Sequence, residues 1–361
     1  MKIPVIFVGL GRFGLQRLKA MYANTQFEPV ALVDVQVGKA KDVLKSQKEP
    51  YLRNCIDRIF PSITDAISKV SAKACFIFVS AEEHAQLVLE SLRAGLHTFC
   101  VKPFACNMSE FAEIVREYKL SKNLMLIQGL NNQWNEAATK MRELLNGVNG
   151  IGEMVAGQCL CWGRQNISAV PPSPDATIEG LFFHGLACHQ LSQLVAAKGL
   201  PESVIAYVHK TIVPSIGLNG TWGTGGGQAV FEYDNAVPFS YTGTRAAHGN
   251  FFGFASRWSG RWYFQGTQGD LKREGGHITL YKDGETVLDY YLKDLDVDLI
   301  EDEKIQFRAF YDALTTGEGR KSIQKNSIDT WILMEACNES ARTKNKISIR
   351  EMEEKIDYEI F

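Results

Sequence analysis

The chain has 361 residues, 45% of them hydrophobic, and a formal net charge of −2. That length exceeds what one core usually supports, so two domains, or one with an elaborate second layer, are expected. The basic residues are scattered and form no run, which removes the electrostatic footprint of a nucleic-acid binder and points to a small or neutral ligand.

The opening MKIPVIFVGLGRFG superficially resembles a signal peptide, but no small-residue cleavage site follows it. No stretch approaches the roughly 20 apolar residues of a membrane span, so no membrane partner is expected and the chain reads as cytoplasmic. The eight cysteines lack CxxC spacing and several sit in apolar runs, as reduced thiols do. A single CxC, Cys159 and Cys161, puts two side chains on one strand face; no metal site is read from it.

In chain order, apolar runs at 3–8, 30–34, 74–79, 97–101 and 124–129 alternate with helical patterns near 12–23, 38–47, 82–94 and 108–120. Strands that are apolar throughout are buried on both faces, so this alternation predicts a doubly wound parallel sheet with right-handed crossovers. A linking helix is expected over 133–146. Beyond it the period changes to two, in the stretches 152–162, 202–213, 226–234, 237–245, 251–258, 260–273 and 277–285, which predicts an open, mainly antiparallel sheet. Helical segments over 180–197, 303–316 and 326–343 make this part α+β. The acidic stretch 294–303 reads as a solvated connection.

Gly9, Gly11 and Gly14 form GxGxxG between the first strand and the first helix. Gly9 permits a tight turn, Gly11 lets backbone approach a pyrophosphate, and Gly14 lets helix pack on strand. Asp34 follows 20 residues later at the end of the second strand, where a carboxylate accepts both adenosine ribose hydroxyls and repels a 2′-phosphate. Residues 1–130 therefore read as a Rossmann domain that prefers NAD to NADP, with Phe13 a cofactor contact and Arg12 either beside the pyrophosphate or solvated. The glycine cluster at 221–228 leads into a strand, offers no helix dipole and reads as a loop.

Lys102 closes the strand HTFCV and precedes Pro103, at the strand end where open α/β sheets bind ligands. There its ammonium would hydrogen-bond a substrate oxygen. Further along, FFHGLACHQL sets His184 and His189 in an apolar run. Five residues on a regular helix turn about 140°, so the two histidines face apart and do not make the i, i+4 pair of a metal site, whereas Gly185 and His189 share a face.

Together VGLGRFG, VDV at 33–35, the segment 76–105, ACHQL around His189 and EACNESARTKNKISI at 335–349 resemble the glucose-fructose oxidoreductase/inositol dehydrogenase (Gfo/Idh/MocA) family over nearly the whole chain. The resemblance implies a nicotinamide-dependent oxidoreductase whose second domain, residues 131–361, binds substrate and forms a homodimer or homotetramer through its sheet. It implies Lys102 and His189 as catalytic residues. It places Ser80, Glu82 and His84 near the cofactor, and Asn131, Asn132, Gln133 and Trp134 where substrate contacts lie. Trp162, Arg164, Trp222, Trp258 and Trp262 are further aromatic or hydrogen-bonding candidates, most of them expected in core or interface. Two positions depart from the family pattern: Val101 stands where a glutamate precedes the lysine, and Gly185 where an aspartate lies four residues before the histidine. His184 is the neighbour left to act in that space.

Three functions follow as expectations. The first is NAD-dependent hydride transfer between nicotinamide and a hydroxyl or carbonyl carbon of a sugar, inositol or related polyol, with His189 as base and Lys102 polarising the oxygen. The second is a glycoside-acting enzyme that oxidises a ring hydroxyl transiently. The third is an NAD-binding regulator without catalysis, which Val101 and Gly185 allow.

Overall fold

The computed structural model describes residues 2–23, 26–121, 123–162, 182–209, 225–244, 259–292 and 299–357. Arg164, Trp222, Trp258, the strand expected over 251–258 and the start of the 221–228 loop lie outside them. The chain packs as two compact units, residues 1–129, 303–327 and 355–361, and residues 130–302 with 328–354.

In the first unit the elements are β1 (Ile3–Val8), α1 (Arg12–Ala23), β2 (Phe27–Val33), α2 (Val37–Lys45), α3 (Pro50–Arg53), β3 (Ile59–Phe60), α4 (Ile63–Ile67), β4 (Ala74–Ile77), α5 (Ala81–Arg93), β5 (His97–Val101), α6 (Met108–Leu120) and β6 (Leu126–Gly129). The six strands form one parallel sheet in the order β3-β2-β1-β4-β5-β6. This is the doubly wound arrangement whose strand order reverses between β1 and β4, the switch point where such sheets bind ligands. Every β4 residue is fully buried, which is why ACFI carries no polar alternation. Asn107 caps α6 by accepting from the Glu110 amide at 3.0 Å, and Glu110 returns the contact to the Cys106 amide at 2.9 Å.

The second unit begins with a 3-10 turn (Asn131–Trp134) and continues through α7 (Glu136–Asn146), β7 (Met154–Trp162), α8 (Cys188–Lys198), β8 (Ser203–His209), β9 (Gly226–Tyr233), β10 (Val237–Thr244), β11 (Arg261–Gly266), β12 (Asp270–Glu274), β13 (His277–Lys282) and β14 (Glu285–Tyr291). Then come α9 (Leu299–Thr315), α10 (Arg320–Thr343), β15 (Ile347–Ser348) and α11 (Ile349–Lys355). The sheet is open, in the order β14-β13-β12-β11-β7-β10-β9-β8-β15. Its pairs are antiparallel except β7 with β10, which run parallel. Alternate residues face the core: Phe231 on β9, Phe239 and Tyr241 on β10, and Trp262 and Phe264 on β11, whose rings stack at 6.0 Å. Trp262 is thus core, with its indole N–H donating to the Ser259 carbonyl.

The expected division at 130/131 needs a correction at the C-terminal end. Residues 303–327 and 355–361 pack in the first unit, because Phe307 and Phe310 of α9 complete the aromatic cluster of Phe27, Phe76 and Phe99. Among the described residues, no helix is long and apolar enough to cross a membrane.

Candidate active site

The phosphate loop is built by sterics that differ among its glycines. Gly9 sits at φ +95°, and a Cβ there would lie 2.2 Å from the Phe78 carbonyl oxygen. A Cβ on Gly14 would lie 2.1 Å from the Gly9 oxygen. The protein itself therefore demands both glycines. Gly11 is different: a Cβ there would meet nothing within 4 Å, and the residue is exposed. Among the described residues no atom takes up the space it leaves, and that space opens at the start of α1, whose first amides have no partner within the helix.

Asp34 is fixed beside this loop. Its Oδ2 accepts from the Leu10 amide at 3.0 Å and its Oδ1 from the Gln36 amide at 2.8 Å. Each carboxylate oxygen keeps lone-pair capacity for a ribose hydroxyl. The loop, the open Gly11 and the fixed carboxylate fit the adenosine and pyrophosphate portions of a dinucleotide. Arg12 and Phe13 are exposed at the first turn of α1. The Arg17 guanidinium lies 5.6 Å over the Phe13 ring and pairs with Glu303 at 3.0 Å. Burial pushes the Glu303 carboxyl above its ordinary range, against the opposing pull of Arg17.

At the end of β4, Ser80 is exposed and stands at the N-cap of α5 without a side-chain capping bond, and Glu82 is exposed in the first helical turn. His84 is otherwise placed than expected. It is 1% exposed, and its two ring nitrogens lie against the carbonyl oxygens of Pro103 and Val79. The assignment of His84 as a cofactor contact is corrected accordingly, since its polar atoms are engaged by the protein. Lys102 is partly exposed at the carboxyl end of β5 and joined to Pro103 by a cis peptide bond.

In the second unit, the 3-10 turn after β6 buries Asn131, Asn132 and Gln133 and leaves Trp134 partly exposed. Trp162 closes β7 at 38% exposure. The segment carrying the histidines departs from a regular helix. Residues Phe183–Ala187 form a π turn, with the Cys188 amide bonded to the Phe183 carbonyl five residues back. A π turn inserts one residue into the helical register. Angles counted on a regular helix do not carry across it, and the two histidines differ in their surroundings: His184 is buried and His189 partly exposed. Among the described residues, there is no group of three or more His, Cys, Asp or Glu that could hold a metal ion.

From Phe182 to Val195, Gly185 and His189 are the two residues with partial exposure, and the rest are buried. The face on which the family pattern puts its acid and its base is thus the accessible one. His184, 6% exposed, packs its ring on Trp331 at 5.8 Å between centroids, and its Nε2 lies 3.6 Å from the Glu335 carboxylate and 3.4 Å from the Asn338 amide nitrogen. Glu335 was not among the candidates read from sequence. It is a carboxylate beside His184, and it stays partly exposed within an otherwise buried stretch of α10.

A family model described as oxidoreductase family, NAD-binding Rossmann fold (GFO_IDH_MocA), matches residues 3–128. Residues 3–128 belong to the NAD-binding Rossmann fold of the Gfo/Idh/MocA family. It is 26% identical over 151 residues to a myo-inositol 2-dehydrogenase of Thermotoga maritima, covering 42% of each chain. It is 25% identical over 186 residues to an inositol 2-dehydrogenase of Salmonella typhimurium, covering 50% of this chain and 52% of that one. The chain spans about half the length of the curated relatives it matches. In fold it is similar to an oxidoreductase from Agrobacterium radiobacter solved with NAD+, L-tartaric acid and magnesium, at TM-score 0.80 and 16% identity over 98% of this chain and 100% of that one. It is also similar to myo-inositol 2-dehydrogenase from Lactobacillus plantarum, at TM-score 0.72 and 16% identity over 96% and 99%.

Proposed function

We propose that the protein is an NAD-dependent oxidoreductase that moves a hydride between nicotinamide and a hydroxyl-bearing carbon of a small polyol of the inositol or sugar class. The observation that carries this is Lys102, partly exposed at the carboxyl end of β5, in the sheet whose β1 end presents the open phosphate loop. The inositol dehydrogenases among its relatives support the polyol class.

NAD, when bound, supplies the hydride acceptor. Asp34 holds the ribose hydroxyls and disfavours a 2′-phosphate, which makes NAD the preferred form. The Lys102 ammonium donates a hydrogen bond to the substrate oxygen and steadies the negative charge that grows there as its proton leaves. His189 takes that proton, a task suited to a side chain whose ordinary pKa lies near neutrality. In carbonyl reduction His189 returns the proton, while Lys102 keeps its hydrogen bond to the oxygen.

The test is a panel of inositols, sugar alcohols and sugars followed at the NADH absorbance band, with NAD affinity measured beside it. Turnover of one class, reduced about 10²- to 10⁴-fold in Lys102→Ala with NAD affinity retained, is the expected result. Val101 and Gly185 favour a second reading, an NAD-binding protein without catalysis. That reading gains if NAD binds and no member of the panel is oxidised.

A further inference from the structure

One buried titratable side chain of the first unit has no part in the chemistry above. His84 lies in the second turn of α5, fully enclosed, with Nδ1 2.5 Å from the Pro103 carbonyl oxygen and Nε2 3.2 Å from that of Val79. Val79 lies in the loop two residues past β4, and Pro103 follows Lys102 directly. The same turn is held from its other side, where the Phe104 amide donates to the Gln128 side-chain oxygen at 3.1 Å and the Gln128 amide donates to Ser327 Oγ at 3.1 Å. The ring sits between two loops, both at the carboxyl ends of neighbouring strands, and as a neutral imidazole it can donate to one of them.

We propose that His84 is a positioning residue for Lys102, a clamp that ties the Lys102-Pro103 turn to α5 and so fixes where the lysine stands. The proposal rests on the role given to Lys102 above. A neutral imidazole has one N–H, so it donates to one carbonyl, and the shorter contact puts that proton on Nδ1 toward Pro103. Burial supports this state by holding the ring below the ordinary histidine range, and the charge of Lys102 pulls the same way, against the two carbonyls and Glu82. The strong donor thus serves the turn that carries the lysine.

Two variants test the clamp. His84→Leu keeps bulk and removes both polar atoms, whereas His84→Gln restores a donor. Three readouts are taken: NAD affinity, the rate at which acetic anhydride labels Lys102 relative to the exposed Lys73, and kcat and KM on whichever polyol turns over. The expected result for His84→Leu is NAD affinity within about twofold and a Lys102 labelling rate changed threefold or more relative to Lys73. Its kcat falls about tenfold to hundredfold with little change in KM, the size of loss that small misplacement of a reacting group produces. His84→Gln recovers part of both effects. An unchanged Lys102 labelling rate in a folded His84→Leu variant overturns the clamp. If His84→Leu does not fold, His84→Gln carries the comparison through its labelling ratio. A wild-type protein that oxidises no polyol defeats the reading of function while the labelling ratio still decides the clamp.

Discussion

Residues 9–14 and residues 182–189 both set glycines and candidate site residues within about two helical turns, and both are read from spacing. In the phosphate loop the spacing survives into the structure, because β1 and α1 on either side are regular, Gly9 and Gly11 lie between them and Gly14 lies in the first turn of α1. In the second segment a π turn adds one residue, and the angular arithmetic of a regular helix fails across it. Spacing translates into geometry only through hydrogen-bond register. Where register is uniform a motif can be read directly; where one bond spans five residues, the faces have to be observed.

The largest expected effect separates the glycines of the loop. Gly14→Ala drives a methyl into the Gly9 carbonyl, backbone against backbone, and should abolish NAD binding together with the cooperative thermal transition of the native protein. Gly11→Ala meets no protein atom. It should leave the thermal midpoint within a degree or two and weaken NAD roughly tenfold or more, as expected where a methyl obstructs close approach to a pyrophosphate. Equal damage from the two substitutions, or none to NAD from Gly11→Ala, breaks the distinction between a glycine kept for the fold and one kept for a ligand.

A smaller effect tests the other half of the comparison. Single cysteines at 185 and 189 stand on the accessible face, while one at 187 stands in the buried remainder. In a background where Cys106, the one exposed native thiol, is serine, a water-soluble disulfide reagent should modify 185 and 189 at least about tenfold faster than 187, as thiol access governs the rate. Comparable rates at all three positions would sink the assigned faces.

What was legible in the sequence follows the same division. β1 and β5 occupy the residues expected of them, since a strand buried on both faces is an unbroken apolar run bounded by polar residues. The short elements α3, β3 and α4 were not anticipated. Each has five residues or fewer, too few to show a period, and β3 is defined by pairing with Leu32 and Val33 of β2. Nor does the sequence reveal that Phe307 and Phe310 serve the first unit, because their helical pattern names a buried face and not its partner. Of the site, the glycines, Asp34 and Lys102 were legible because motif and strand end coincide. His84 and Glu335 were misplaced or missed because their partners lie 19 and 151 residues away in the chain.

The smallest expected effect concerns acid. His97 is half-buried at the start of β5, and its Nδ1 accepts from the Met125 amide at 2.9 Å, a bond that needs the lone pair of the neutral ring. Burial first, then the charges of Arg320 and Lys73, hold it below the ordinary histidine range. His84 is shifted the same way by its own burial. Unfolded, both rings return to about 6.5. Their contribution to stability is therefore complete above that pH. As the pH falls below it, the unfolded chain takes up protons before the folded one does, and the contribution drains away until the folded rings protonate in turn. The urea midpoint should fall between pH 7 and 5, and His97→Gln, which keeps an acceptor for Met125 but cannot titrate, should flatten part of that fall and leave the share due to His84. An unchanged slope would mean that His97 titrates alike in both states, and that the amide contact does not hold its ring neutral.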